Sequence, residues 1–304
     1  MAYAKLSGAL LVRKDAPVTE IVSVPHSPAD AAPAAAPSGA PAPAPSVAPA
    51  DAERQLARHL KALNLPTFLS HYAPLARQFA EEGLDPSRYL LRLAEMELGE
   101  RQRQVTARRI KAARFPAVKE LAAFDFSAVP ALDRGAVLDL AKCDYIARNE
   151  NVVAVGNSGT GKTHLAIALG VAACRQGFSV RFITAASLVH EMLEASDERR
   201  LLRLQRRLAG CKLLIIDELA YAPLSTLGAD LLFDIVSQRY ERGSTIITSS
   251  LPFQEWINVF GTAQLTGAVL DRLTHHAHIL EMPGESFRLK QSREQRRGPE
   301  NRAP

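Results

Sequence analysis

Residues 151–163 read Asn151-Val152-Val153-Ala154-Val155-Gly156-Asn157-Ser158-Gly159-Thr160-Gly161-Lys162-Thr163, and this stretch decides the fold. Val152, Val153 and Val155 make a short β-branched run of the kind that forms a buried strand. The run breaks into residues 156–163, a full match to the phosphate-binding pattern G-x-x-x-x-G-K-[ST]. Helical composition follows over 164–174, so the pattern sits between a strand and a helix, as its chemistry requires. Gly156, Gly159 and Gly161 let the loop turn so that its N–H groups, with those of Asn157, Ser158 and Thr160, face a bound anion. Lys162 brings a point charge to the β- and γ-phosphates of a nucleotide, and the Thr163 hydroxyl is a hard oxygen suited to Mg²⁺.

A second stretch supports the first. Residues 212–218, Lys-Leu-Leu-Ile-Ile-Asp-Glu, form an apolar strand that ends in two carboxylates. Asp217 stands where such a site holds its metal, and Glu218 where a carboxylate polarises the attacking water. Simple nucleotide storage has no use for Glu218, so the pair points to hydrolysis.

With 304 residues, the chain is long enough for two domains, and 47% hydrophobic content can fill a sizeable core. The formal charge of +5 is modest, so where the basic residues lie matters more than their number. Cys143, Cys174 and Cys211 are scattered, which fits a reducing cytosol and argues against a zinc site or a disulfide framework. No membrane span and no secretory leader are expected, and the chain reads as cytoplasmic.

Taken in order, residues 1–50 form an Ala/Pro-rich tail that cannot bury enough surface to order itself. Residues 51–116 read as a small helical domain: Asp51 caps a helix over 52–63, Pro66 opens another over 67–82, and Asp85-Pro86 starts a third. Leu90, Leu91, Leu93, Met96 and Leu98 should give the third helix an apolar side. Its later part carries Arg101, Arg103, Arg108, Arg109, Lys111 and Arg114 with no acidic residue among them, which suggests contact with nucleic-acid phosphates. A solvated helix face is the plainer alternative.

Residues 117–150 form a connector with a helix over 132–143; Phe124 and Phe126 pack it on the core. The ATPase domain spans 151–292. It has a second strand over 179–184, a helix from Ala185 and an amphipathic helix over 197–208. One face of that last helix is arginine-rich, with Arg199, Arg200 and Arg203 as further candidates to face DNA. Ser225 caps a helix to Arg242, and a strand over 244–248 ends at Ser249-Ser250, where a polar side chain would reach the γ-phosphate. A helix over 266–274 carries Asp271-Arg272, and a final strand covers 277–282. His275, His276 and His278 read as surface and strand residues rather than a metal cluster. From Ser286 the chain is read as a polar tail, basic over 293–304. Alternating strands and helices imply an α/β fold with a parallel sheet covered on both faces.

With these residues in view, 51–293 resembles the IstB-type transposition helper ATPases, relatives of the DnaC helicase loaders and DnaA initiators in the AAA+ superfamily. The resemblance rests on 108–116 (Arg-Arg-Ile-Lys-Ala-Ala-Arg-Phe-Pro), Phe124-Asp125-Phe126, the loop at 156–163 and Asp217-Glu218-Leu219-Ala220-Tyr221. It also rests on Gly228-Ala229-Asp230-Leu231-Leu232-Phe233, Leu251-Pro252-Phe253-Gln254-Glu255-Trp256, Leu270-Asp271-Arg272-Leu273 and Gly284-Glu285-Ser286-Phe287-Arg288-Leu289.

The resemblance implies a parallel-sheet P-loop AAA+ core. It implies ATP and Mg²⁺ as ligands, homo-oligomers on double-stranded DNA, and a transposase of the same element as partner. It assigns Arg272 as a finger reaching a neighbouring protomer's γ-phosphate; a pair with Asp271 is the plainer reading. Ser250 stands where the family commonly has Asn, which implies slow hydrolysis or help from Thr248 and Ser249. Adenine is implied over guanine, since Asn-Lys-x-Asp is missing. The rival readings are a helicase loader and a non-hydrolysing ATP-dependent DNA scaffold, with a small-molecule kinase behind them.

Overall fold

The computed structural model describes residues 48–219 and 223–287. Residues 1–47, the basic tail over 293–304, and Ala220, Tyr221, Arg288 and Leu289 of the motifs above lie outside the described residues. Two units divide between Leu56 and Ala57, inside the first helix; the sheet belongs to the second.

Helices α1 (Pro49–Ala62), α2 (Pro66–Glu81) and α3 (Pro86–Ala113) come first. Asp51 lies in the first turn of α1 rather than at its cap, where a carboxylate still meets the positive end of the helix dipole. Asp85 caps α3 by accepting the Ser87 N–H at 3.1 Å, and Pro86 follows at the first helical position. The helix stops at Arg114, which takes the left-handed conformation just before Phe115-Pro116.

The apolar side expected for α3 is not a single side. Leu93 is buried, but Leu90, Leu91 and Leu98 are exposed. The position one turn after Leu93 is filled by buried Glu97, which accepts the Thr67 N–H of α2 at 3.0 Å. At its far end α3 joins the main core: Ala113 is fully buried, and the Phe115 and Phe182 rings lie 6.1 Å apart.

The connector holds 3₁₀ turns at Leu121–Ala123 and Phe126–Ala128, then α4 (Arg134–Leu140) and α5 (Asp144–Ala147). A single helix over 132–143 does not form, because Asp133 caps α4 and Cys143 turns left-handed (φ 68°). The remaining elements are β1 (Asn151–Val155), α6 (Lys162–Arg175), β2 (Val180–Thr184), α7 (Ala185–Asp197), α8 (Leu201–Ala209), β3 (Leu213–Asp217), α9 (Thr226–Arg239), β4 (Ser244–Ser249), α10 (Ile257–Phe260), α11 (Ala263–Thr274) and β5 (Ala277–Glu281). The helix expected over 197–208 is likewise split: α7 runs to Asp197, Arg199 turns left-handed (φ 56°), and α8 starts at Leu201.

The fold class is the expected one. Among the described residues, five parallel strands lie in the order β2-β3-β4-β1-β5. Their apolar runs are continuous because both faces are covered. Val152, Ala154, Leu213, Ile215 and Ile246 face a core shared with α6 and the connector. Val153, Leu214, Ile216 and Ile247 face the opposite core, shared with α7, α8, α9 and α11. No helix among the described residues is long and apolar enough to cross a membrane.

Candidate functional site

The loop over 156–161 leaves the C-terminal end of β1 and passes into α6 at Lys162. Gly161 adopts φ +97°, and a Cβ there would lie 2.9 Å from the Phe124 ring, so only glycine fits. The Thr160 hydroxyl donates to Asn157 O at 2.9 Å and braces the turn. Lys162 is buried, with Nζ 2.7 Å from the carbonyl oxygens of both Gly156 and Asn157. Its ammonium is therefore held directly over the loop.

Asp217 ends β3 and is buried. Thr163 donates to its carboxylate at 3.0 Å, and Thr248 of β4 donates to Oδ1 at 2.6 Å. The Thr248 oxygen also accepts the Glu218 N–H at 2.9 Å. One hydroxyl thus joins both acidic residues across two strands. Glu218 itself is exposed and holds a left-handed backbone (φ 56°), a costly conformation for this residue type. A threonine hydroxyl beside a carboxylate is a hard-oxygen pair of the sort that suits Mg²⁺, so the residues fit the expected ion.

The two serines after β4's core do different things. Ser249 is buried, donates to Leu251 O at 2.8 Å and accepts the Trp256 indole N–H at 3.2 Å, so it anchors the following turn. Ser250 is exposed and lines a cavity of about 530 Å³ together with Glu218 and Thr248. That volume lies within the usual range for small-molecule sites.

The opposite lining of this cavity has no counterpart in the sequence reading. Pro116, Ala117, Lys119, Ala123, Phe124 and Asp125 of the connector contribute to it, and so does Phe287. Phe124 is more than packing between linker and core: it touches Gly161 and meets His164 edge-on at 5.4 Å between ring centroids. The Phe-Asp-Phe pattern is visible in the sequence, but nothing local says which part of the core it meets.

Arg272 lies on α11, outside this cavity. Its guanidinium donates to Ala268 O at 2.9 Å and stacks 4.7 Å from the Phe233 ring. It makes no ion pair with Asp271 among the described residues.

The basic residues separate into distinct groups. Arg101 pairs with Glu97 at 2.8 Å and donates to Asn64 O at 2.6 Å, and Arg103 pairs with Glu100 at 2.8 Å. Each acid lies one turn before its arginine and just outside the stretch that looks uncompensated in the sequence. Burial pushes the Glu97 carboxyl up, but hydrogen bonds from Arg101 and Thr67 outweigh this and hold it below the usual value. Arg108 and Lys111 are exposed and form no ion pair among the described residues, while Arg109 is half-buried.

Arg114 shares a groove with Arg200 and Arg203, which joins two basic stretches far apart in sequence. Glu191, Glu194 and Glu198 line the same groove, and Arg200 pairs with Glu198. Arg199 lies in the turn before α8, not on the helix.

His278 pairs with Glu150 at 2.9 Å. Hydrogen bonds from Arg148 and then His278 lower the Glu150 carboxyl to about 2. Glu241, His275 and His276 cluster on the exposed surface at the strand ends away from the phosphate loop.

A family model described as IstB-like ATP binding protein matches residues 58–295. The chain is 39% identical over 234 residues to a Pseudomonas aeruginosa protein named as the putative ATP-binding protein of insertion sequence IS21, covering 77% of this chain and 88% of that one. It is 35% identical over 241 residues to the protein so named for insertion sequence IS5376 of Geobacillus stearothermophilus, covering 79% and 96%. Among solved structures, the DnaC helicase loader matches with a TM-score of 0.41 and 20% identity, over 49% of this chain and 88% of that one.

Proposed function

This chain belongs to the family of IstB-like ATP-binding proteins, and from that premise we propose that it is an ATP-hydrolysing helper of DNA transposition. It assembles on double-stranded DNA as a homo-oligomer and recruits or stimulates the transposase of its own element. The helical segment over 51–116 meets DNA or the partner, and the domain over 151–292 binds and hydrolyses ATP.

The chemistry follows from the residues. Loop amides and Lys162 hold the phosphates. Thr163 and Asp217 would hold Mg²⁺, which neutralises charge on the phosphate oxygens. Glu218 orients and polarises water, while Thr248 holds the Asp217 carboxylate and the Glu218 backbone N–H on one hydroxyl. Ser250 lines the cavity with Glu218 and Thr248 and would meet the γ-phosphate there. Arg272 acts on a neighbouring protomer, so that hydrolysis depends on assembly.

One observation carries the coupling of nucleotide to DNA. The exposed basic end of α3, with Lys111 and Arg114, runs within two residues into Pro116 and Ala117, which wall the cavity. A change at the nucleotide therefore reaches the proposed DNA-contacting helix without an intermediate element.

The test is light scattering and DNA mobility shift, with and without Mg·ATP, at two salt concentrations. Lys162→Ala should abolish ATP-dependent assembly, and unchanged assembly would overturn the coupling. Glu218→Gln should trap an ATP-bound oligomer. A variant that behaves like wild type would favour a scaffold that uses ATP only as an assembly ligand.

A further inference from the structure

The last described residues run back across the phosphate loop, where the sequence suggests a polar tail. Met282 N–H donates to Val155 O at 2.7 Å, so the chain leaves β5 still paired to the end of β1. Asn157 Nδ2 donates to Gly284 O at 3.1 Å, and Phe287 N–H donates to Gly159 O at 3.0 Å. A Cβ on Gly159 would lie 2.1 Å from Ser286 Oγ, so the approach depends on the missing side chain at that position. Residues 283–287 thus form a strap held to the loop by one side-chain bond from Asn157 and one main-chain bond to Gly159.

The strap carries an aromatic ring to the cavity. Phe287 lines it and is 42% exposed. A phenyl ring offers nothing to a phosphate anion, and the loop amides and Lys162 already serve that end. What remains of a nucleotide is a flat, largely apolar base, which such a ring can stack upon. The other apolar lining, Pro116, Ala117 and Ala123, suits the same group.

We propose that Phe287 is a base-stacking residue of the nucleotide site, held in position by the strap over 283–287. The proposal rests on the reading that the cavity takes ATP. It gives the nucleotide site a base-side wall built from the segment after β5.

The experiment compares wild type, Phe287→Ala, Phe287→Leu, Phe287→Tyr and Phe287→Trp by calorimetric titration with Mg·ATP and with Mg·tripolyphosphate. Phe287→Ala and Phe287→Leu should weaken ATP binding roughly five- to a hundred-fold, with tripolyphosphate binding and melting temperature unchanged. Phe287→Tyr should restore ATP affinity. The chain has a single tryptophan, Trp256, which is fully buried. An indole introduced in Phe287→Trp should therefore report directly, its emission falling with ATP and not with tripolyphosphate.

Full ATP affinity in Phe287→Ala would overturn the proposal, and so would an indole whose emission ignores saturating ATP. Equal losses for ATP and tripolyphosphate would also overturn it, since the ring would then only brace the loop. A wild-type protein that binds neither ligand defeats the ATP reading itself, a result distinct from these.

Discussion

The phosphate loop and the basic end of α3 are proposed to hold the same chemical group, phosphate, by opposite means. The loop does it with backbone amides whose directions are set by glycines and by the start of a helix. The helix does it with long side chains whose charge is available only if nothing in the fold takes it first. A backbone site survives any rearrangement of distant residues. A side-chain site does not: Arg101 and Arg103 look free in a window from 101 to 114, yet both are paired one turn back. Arg239, which carries no signal in the sequence, is the extreme case. It is 2% exposed and donates to Leu208 O, Cys211 O, Ser244 O and the Thr245 hydroxyl. Burial lowers its pKa to about 10, and it acts wholly as a clamp between α8 and β4.

The sharpest way to break this contrast is to remove the clamp. Arg239→Met should cost about 3–5 kcal/mol, because several buried acceptors are left without their strong donor. Urea unfolding would measure it, and a loss under about 1 kcal/mol would show that the cation is not part of the framework.

Within the site, Thr248→Val should slow ATP hydrolysis about a hundred-fold, because it releases the Asp217 carboxylate and the Glu218 backbone from the hydroxyl that holds both. Ser250→Ala should cost less. Phosphate release assays that reverse this order would return the sensing role to Ser250.

A crossed pair of variants separates the two fates of the arginines. Arg101→Met should destabilise by about 1–3 kcal/mol and leave the salt dependence of DNA binding alone. Arg108→Glu with Lys111→Glu should leave stability within about 0.5 kcal/mol and reduce the salt slope by about 0.9 for each phosphate that is no longer neutralised. If the first pattern appears in the second variant, α3's exposed face is framework too.

The smallest effect is a pH dependence. The Glu97 carboxyl is held below its ordinary 4.5 in the fold, so its contribution is complete above that value and is lost as pH falls through the lower folded value. Melting temperature followed downward from pH 5 should drop less steeply in Glu97→Gln, and parallel curves would count against the Glu97–Arg101–Thr67 link.

Legibility follows from range. The strand–loop–helix at 151–174, the acidic pair and the caps at Asp85 and Ser225 depend on neighbours a few residues away, and each forms. The apolar side of α3 is misjudged from sequence because Leu90, Leu91 and Leu98 stay exposed, while a carboxylate occupies the covered stripe. The helix over 197–208 is misjudged because apolar spacing says nothing about a residue such as Arg199 that turns left-handed. The connector and Phe287 read as a linker and a tail, since nothing in a short aromatic motif names its distant partner.

By itself, then, the sequence determined a phosphate loop, its acidic companions and a parallel α/β core, because these arise from local backbone geometry and from apolar periodicity. Tertiary structure alone decided that Thr248 ties the Asp217 carboxylate to the Glu218 backbone, that the connector and Phe287 wall the cavity, and which arginines are consumed by folding. The physical reason is that most of these join residues tens of positions apart, and only the packed sheet brings them within a hydrogen bond of one another.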